Sequence, residues 1–347
     1  MPRLLAPRSA YPSTDDPAVS AAAAQLARGA LLGLPTETVY GLAADATQAD
    51  AVQRIFAAKG RPADHPLIVH LPPQWEAGVA HFAAEVPAFA RALMQAFWPG
   101  PLTVIVPRQP GVAAAAAGGQ ASVGLRCPAH PVAQAVLQAA QAQGVWGVAA
   151  PSANRFGRVS PTTAQHVVNE FDALNSDELL VLDGGACAVG IESTIVDATR
   201  GHPVLLRPGM LTPAQLEAAC GQPVRLPHEA VDGQPAPRAS GTLASHYAPN
   251  ARVRLMDATA LQQALDVLGP DVPAGRIAVY APQRPRQTGI AWHPMPLQAN
   301  ACAHELFAVL RALDAQGVAL IWVQTPPHTD ELPEWQGVRD RLQRAAA

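Results

Sequence analysis

Residues 34–45 read LPTETVYGLAAD, and the fold is read outward from them. The apolar run at 30–34 that leads in has the length and character of a buried strand. It stops at Pro35, and two threonines, a glutamate and a tyrosine follow before Gly41. A plain surface turn draws on Asn, Asp, Ser and Gly, whose side chains serve the backbone. Two hydroxyls, a carboxylate and a phenol are more chemistry than a turn needs.

The strand at 30–34 belongs to a series. Pro17, at a first helical position, opens an amphipathic run to Arg28 that Gly29 closes. Further strands are expected at 67–71, 102–107, 123–126, 145–150, 179–182, 193–197 and 204–207. Helices are expected between them at 48–58, 86–97, 131–143, 162–169 and 213–219. This alternation is α/β, and the short paired strands late in the segment predict a twisted mixed sheet. Residues 1–15 are expected as an N-terminal tail and 16–220 as the main domain.

From 221 to 250 the periodicity is lost. Prolines at 223, 227, 235, 237 and 249 predict an extended linker, too long for a loop inside one domain. The pattern restarts over 251–347. Strands at 253–256, 276–280 and 318–323 alternate with helices at 258–268, 303–315 and 334–344. That order predicts a small Rossmann-like, three-layer domain with a parallel sheet. No G-x-G-x-x-G follows its first strand, so dinucleotide binding is not signalled there.

A chain of 347 residues favours two domains, and a 49 % hydrophobic content supplies a sizeable core. Its net charge of −3 argues against a main role in gripping nucleic-acid backbone. The four cysteines are scattered without a C-x-x-C pair, which argues against a zinc cage or a disulfide framework. The N-terminal segment lacks a signal-peptide h-region, and no apolar run reaches membrane length, so a cytoplasmic location is expected.

Four blocks carry the chemistry. In KGRPADHPLIVH, Lys59 and Arg61 leave one helix end together, where they either complement the helix dipole or meet an anion such as a triphosphate. His65 and His70 belong to the same block. In SVGLRCPAHP, beginning at Ser122, Arg126 interrupts an apolar strand and needs an internal carboxylate or a carboxylate ligand. In AAPSANRFGRVSPT, from Ala149, a strand runs into Ser152, Asn154 and Ser160, small donors where α/β sheets place ligands, or else turn and cap residues. In GIESTIVDATRGHPVLLRPG, Ser193 opens one strand and Arg207 closes the next. No nucleophile motif, P-loop or metal-ligand spacing is present. The residues alone describe a cavity for a polyanionic small molecule, working by positioning and charge neutralisation.

Taken in order, PTETVYGL, KGRP, R-x-P-x-H-P, PSAN, ESTIVD and RPG resemble the YrdC-type threonylcarbamoyl-AMP synthases in their long form. The likeness covers the whole chain, including a linker ending SHYAP at 245–249. It implies a twisted sheet around a deep, positively lined cavity. It also implies an enzyme, a nucleotidyltransferase, that makes L-threonylcarbamoyl-AMP and pyrophosphate from L-threonine, bicarbonate and ATP, with Mg²⁺ accompanying the nucleotide. A separate complex then modifies adenosine beside the tRNA anticodon, so tRNA contact here is expected to be weak or indirect.

Carried over by position, Thr38, His70, Arg126, Ser193 and the backbone of Ala150 hold threonine. Lys59, Arg61, His65, Ser122, Ser152, Ser160, Arg207 and linker Tyr247 hold ATP. Lys59, Arg61, Ser152 and Asn154 are the catalytic set. His65 departs from the family's usual Asn. On this likeness the turn at 35–41 is part of the threonine pocket, where a hydroxyl-bearing substrate needs hydroxyl and amide partners. An extended linker can reach back over the cavity and exclude water. The rival of another class is an RNA-binding or ribosome-assembly module of the same fold. A carbamoyltransferase maturation factor shares the domain but needs cysteine-rich zinc modules that four scattered cysteines cannot form.

Overall fold

The period-two alternation of β-strands decides which residues of this chain meet the site. The computed structural model describes residues 1–229, 236–243, 245–268, 270–273, 275–327 and 332–347. They form two compact units, the first made of Met1–Phe156, Pro161–Ala188 and Glu192–Thr242. The second is made of Gly157–Ser160, Val189–Ile191 and Leu243–Ala347.

In chain order the first unit contains β1 (Arg3–Leu5), α1 (Pro17–Ala27), β2 (Leu31–Leu34), β3 (Gly41–Asp45) and α2 (Ala49–Lys59). Next come β4 (Ile68–His70), α3 (Trp75–Phe82), α4 (Ala88–Phe97), β5 (Leu102–Pro107), β6 (Ser122–Arg126) and α5 (Pro131–Gln141). It ends with β7 (Val148–Ala149), α6 (Ala164–Glu170), β8 (Leu179–Leu182), β9 (Thr194–Asp197), β10 (Val204–Arg207) and α7 (Pro213–Cys220). The ten strands form one sheet in the order β1-β8-β2-β3-β7-β4-β6-β5-β9-β10. Parallel pairs such as β4 with β6 alternate with antiparallel ones such as β5 with β6, so the sheet is mixed, as expected.

Residues 1–15 are more than a tail. Arg3, Leu4 and Leu5 pair in parallel with Leu180, Val181 and Leu182. The opening stretch also differs from its expectation, because the polar turn joins a hairpin: Leu34 pairs with Gly41 and Leu32 with Ala43.

Two helical layers cover this sheet unequally. Val69, Val104, Leu125 and Val196 join the large core that includes Ile55 of α2, Phe82 of α3 and Leu93 of α4. The opposite parity of β2 and β7, with Leu32, Leu34 and Val148, packs under α1 and α5 through Val19, Leu26 and Val136. His70 pairs with Val148 and with Arg126, so all three face that same side. On β4, β5 and β9 this parity continues as Ile68, Ile105 and Ile195, a small cluster that α1 and α5 do not cover. At this end Leu206 and linker residue Ala239 pack against them.

The second unit holds β11 (Arg252–Met256), α8 (Ala258–Leu268), β12 (Ile277–Ala281), β13 (Ala291–Pro294), α9 (Ala299–Asp314), β14 (Leu320–Gln324) and α10 (Gln336–Ala346). Its sheet is all parallel, in the order β11-β14-β12-β13. Three strands were expected, and β13 is the fourth.

Candidate active site

The four polar side chains of the opening turn each have a task. Thr36, buried, closes the turn by accepting from the Val39 amide at 3.2 Å and touches Thr38 Oγ1 at 2.9 Å. Tyr40 donates to the Gly185 carbonyl at 2.7 Å and accepts from the Gly184 amide at 3.1 Å, which ties the hairpin to the segment after β8. Burial pushes its phenol well above the ordinary range. Glu37 accepts from Arg126 Nη2 at 2.6 Å through one oxygen and from the Ala129 amide at 3.0 Å through the other. Thr38 accepts from Arg126 Nη1 at 2.8 Å.

Of the two partners open to Arg126, the internal carboxylate is therefore present, and it is Glu37. Nε donates to the Gly100 carbonyl at 3.2 Å, so three of the guanidinium's N–H groups are committed. A guanidinium has about five. One remains on each terminal nitrogen, a fork suited to a second carboxylate. Beside Arg126 across the ladder stands His70, held down to about 3 by burial and then by the guanidinium. Its imidazole is neutral throughout the physiological range. Nδ1 lies 3.3 Å from the Ile68 carbonyl; in the tautomer that donates there, Nε2 is an acceptor. The Ala150 amide is given to the Ile68 carbonyl at 2.9 Å, so any backbone contact of Ala150 with a ligand falls to its carbonyl.

Lys59 is engaged by the protein's own backbone. Gly60 ends α2 in the left-handed region at φ 62°, and the Lys59 side chain turns inward. Its Nζ donates to the Ser152 carbonyl at 2.6 Å and to the Asn154 carbonyl. Burial and then Arg61 lower its pKa well below that of a free lysine. Both donors serve the PSAN loop, making Lys59 the clamp that sets Ser152 and Asn154. Asn154 is buried, Ser152 is half-buried, and Asn154 Nδ2 donates to the Arg155 carbonyl at 2.7 Å.

Arg61 and Arg207 converge on one linker residue. Arg61 Nη2 donates to the Pro66 carbonyl at 3.1 Å and reaches Ser240 Oγ at 3.5 Å. A register shift between Leu205 and Arg207 in the β9–β10 pair re-aims the second arginine. Arg207 donates through Nε and Nη2 to the Ser193 carbonyl at 3.0 and 2.9 Å, and through Nη1 to the Ser240 carbonyl at 2.9 Å. Ser193 Oγ also meets Thr103 Oγ1 at 2.7 Å. His65 stands edge-on to Phe156 at 5.4 Å, and Arg61 lies 5.6 Å from the same ring. Burial, followed by Arg61, lowers the His65 pKa.

Ser122 lines a hollow with Ile68, Ile105 and Ile195, which linker residues Arg238, Ala239 and Ser240 close to about 20 Å³. The linker is latched there. Arg238 pairs with Asp64 at 2.7 Å, and its backbone exchanges hydrogen bonds with the Gln120 side chain at 2.8 and 3.2 Å.

Thr38, Lys59, Arg61, His65, His70, Ser122, Arg126, Ala150, Ser152, Asn154, Ser193 and Arg207 thus all lie in the first unit. Ser160 and Tyr247 belong to the second. The Ser160 carbonyl accepts from Arg311 there at 3.3 Å, and buried Tyr247, at φ 62°, packs on Phe307 at 5.3 Å and under Arg341 at 5.4 Å. Glu37, Thr103 and Ser240 went unassigned in the sequence. The buried charge of Arg126 called for a carboxylate without saying which, and nothing in the sequence pointed to Ser240.

The comparisons agree on a family. A Sua5/YciO/YrdC family model described as "Telomere recombination" matches residues 24–209, and one described as "Threonylcarbamoyl-AMP synthase, C-terminal domain" matches 211–347. A threonylcarbamoyl-AMP synthase of Bacillus subtilis is 34 % identical over 344 residues, 96 % of this chain and 94 % of that one. Its counterpart in Pyrococcus abyssi is 42 % identical over 238 residues, 68 % of this chain and 67 % of that one. The crystal structure of P. abyssi Sua5 complexed with L-threonine superposes with a TM-score of 0.82 at 32 % identity, covering 100 % of this chain and 97 % of that one.

Proposed function

The chain belongs to the Sua5/YciO/YrdC family, and on that premise we propose that it makes L-threonylcarbamoyl-AMP and pyrophosphate from L-threonine, bicarbonate and ATP. The observation that carries this reading is four buried cations in one unit, Lys59, Arg61, Arg126 and Arg207, set among hydroxyls.

The threonine carboxylate takes the two remaining N–H groups of Arg126, whose plane Glu37 and Thr38 fix. Neutral His70 accepts from the substrate without adding a second positive charge beside Arg126. With a pKa near 3 it orients a proton and does not carry one at neutral pH. The Ser193 and Thr103 hydroxyls lie on the same face of the sheet and serve the substrate's polar end. Bicarbonate condenses with the threonine amine, losing water, to give a carbamate. A carbamate oxygen then attacks the α-phosphorus of ATP, and the bond to the bridging oxygen breaks as pyrophosphate leaves.

Arg61 and Arg207 neutralise the phosphates as charge shifts to the leaving pyrophosphate. In the structure they meet instead at Ser240, whose hydroxyl and carbonyl stand where an anion would be held. Ser122 and residues 238–240 line one hollow of about 20 Å³ beside these arginines. Ser122, Ser152 and His65 complete the nucleotide's surroundings, and Ser160 and Tyr247 are proposed to join them. Lys59 and Asn154 shape the loop.

No three His, Cys, Asp or Glu side chains cluster as a metal cage among the described residues, and Glu37 is engaged by Arg126. These residues fit Mg²⁺ poorly as direct ligands, and it is proposed to arrive on the phosphates of its substrate. The product would pass to a complex that modifies tRNA, in the cytoplasm; tRNA itself would touch this chain weakly or indirectly. The test is mass spectrometry after incubation with ATP, labelled bicarbonate and threonine. A labelled adenylate carrying threonine is expected; AMP without a labelled threonyl product would overturn the proposal.

A further inference from the structure

In the second unit, β12 and β13 run parallel and are joined by residues 282–290 alone. A parallel connection usually carries a helix of its own, which covers the sheet. Here an extended crossover stands in for one. Gln287 Nε2 donates to the Leu265 carbonyl of α8 at 2.8 Å, and Val272 N donates to the Thr288 carbonyl at 3.2 Å. Beside the crossover lies a hollow of about 380 Å³, lined by Arg284, Arg286, Gln287, Thr288 and Trp292 among others. That volume lies within the range of about 300–1,000 Å³ typical of small-molecule sites.

The lining has one electrostatic sign. Arg284 and Arg286 are both exposed, and neither forms an ion pair among the described residues. The nearest carboxylate on the crossover's anchor, Asp271, accepts from Thr288 Oγ1 at 2.9 Å. The Arg284 guanidinium lies 5.8 Å from the Trp292 ring, and the indole is itself fixed by donating to the Ala281 carbonyl at 3.0 Å. A stacked guanidinium keeps its in-plane N–H edges open to an anion. Gln287 itself is fixed, its amide nitrogen donating to the Leu265 carbonyl at 2.8 Å.

We propose that this hollow is a binding site for a small, hydroxyl-bearing phosphate ester, its phosphate held by Arg284 and Arg286 and its sugar or base set against Trp292. Two arginines one residue apart on a loop offer a bidentate phosphate grip, and a single aromatic ring suits one nucleoside or sugar better than an extended strand. None of these residues is among those proposed to hold ATP or threonine.

The experiment is a titration of the ¹⁵N-labelled full chain with AMP, ribose 5-phosphate and inorganic phosphate, following the Trp292 indole signal. Trp292→Phe assigns that signal. A saturable shift is expected with at least one ester, with binding about tenfold or more weaker in Arg284→Ala and in Arg286→Ala. An equal response to inorganic phosphate would show that nothing beyond the phosphate group is recognised and would overturn the ester assignment. A Trp292 signal unmoved by millimolar concentrations of all three would overturn the proposal. So would a shift undiminished in both arginine variants, or one produced only by a short single-stranded RNA. Because the readout is binding at Trp292 and its loss in the arginine variants, none of these outcomes depends on turnover.

Discussion

Lys59 is a cation turned onto the protein's own backbone, and this separates it from Arg61 two residues on. Its two carbonyl partners belong to the PSAN loop, and removing the amine takes one donor from each. Lys59→Met should therefore cost about 1–3 kcal/mol of stability and slow turnover with it. Arg61→Ala should lose about ten- to a hundredfold in turnover with little loss of stability, and parallel melting and rate measurements separate the two cases. Glu37→Ala leaves Arg126 buried without its carboxylate, a loss of about 3–5 kcal/mol, and should raise the KM for threonine at least tenfold. An unaltered KM in a folded Glu37→Ala protein would contradict the assigned role. His70 gives a pH test. Its pKa of about 3 lies below the ordinary 6.5, so the unfolded chain takes up a proton that the folded chain refuses. That contribution is complete above about pH 6.5 and is lost as pH falls, at about 1.4 kcal/mol per pH unit, until the folded group titrates. Stability curves of the native chain and His70→Gln should diverge by that slope between about pH 6 and 4; curves that stay parallel would rule it out. At this scale the sequence exposed Arg126 as a charge in need of a partner but did not settle which partner. Thr36 and Glu37 stood in the quoted stretch, yet only the hairpin's geometry shows which side chain closes the turn and which holds the arginine.

Strands whose two faces differ were legible, and strands set by long-range pairing were not. The runs at 102–107 and 204–207 match β5 and β10, because one apolar parity is continuous under the helices. β3, with sequence GLAAD, has neither β-branched residues nor alternation and is a strand only because β2 and β7 flank it. β1 and β13 are edge strands fixed by single parallel partners, a signal no local pattern carries. The RPG turn yields a prediction here. A Cβ on Gly209 would lie 2.6 Å from both the amide nitrogen and the hydroxyl of Thr194, at the start of β9. Gly209→Ala should destabilise the protein by about 1–3 kcal/mol and, by shifting β9 against β10, lower activity through Arg207 and Ser193. A stable, fully active variant would mean that this close approach positions nothing. The linker was read as extended and able to return, and residues 236–242 do join the first unit. Their seating in the hollow beside Ser122 was not legible, because it depends on three isoleucines from three strands meeting one alanine. If the latch competes with nucleotide, Arg238→Ala should tighten apparent ATP binding by up to about fivefold, the reach of one exposed ion pair. Weaker ATP binding in this variant would instead make the linker part of the nucleotide's grip.

For the whole molecule, composition and charge excluded more than they identified. A net charge of −3 argues against a broad basic field for nucleic acid, and binding of tRNA should show only a shallow dependence on salt. A steep slope would favour the RNA-binding rival. The division into two units was legible from the loss of periodicity after Cys220, although the first unit extends to Thr242. The central claim is that one chain couples threonine, bicarbonate and ATP. Its most direct test is pyrophosphate release by the purified protein across a panel of amino acids, with and without bicarbonate. The account predicts release only when threonine and bicarbonate are present together, with serine and valine well behind because each lacks part of what the pocket meets. Equal release from ATP alone, or release indifferent to the amino acid supplied, would contradict it.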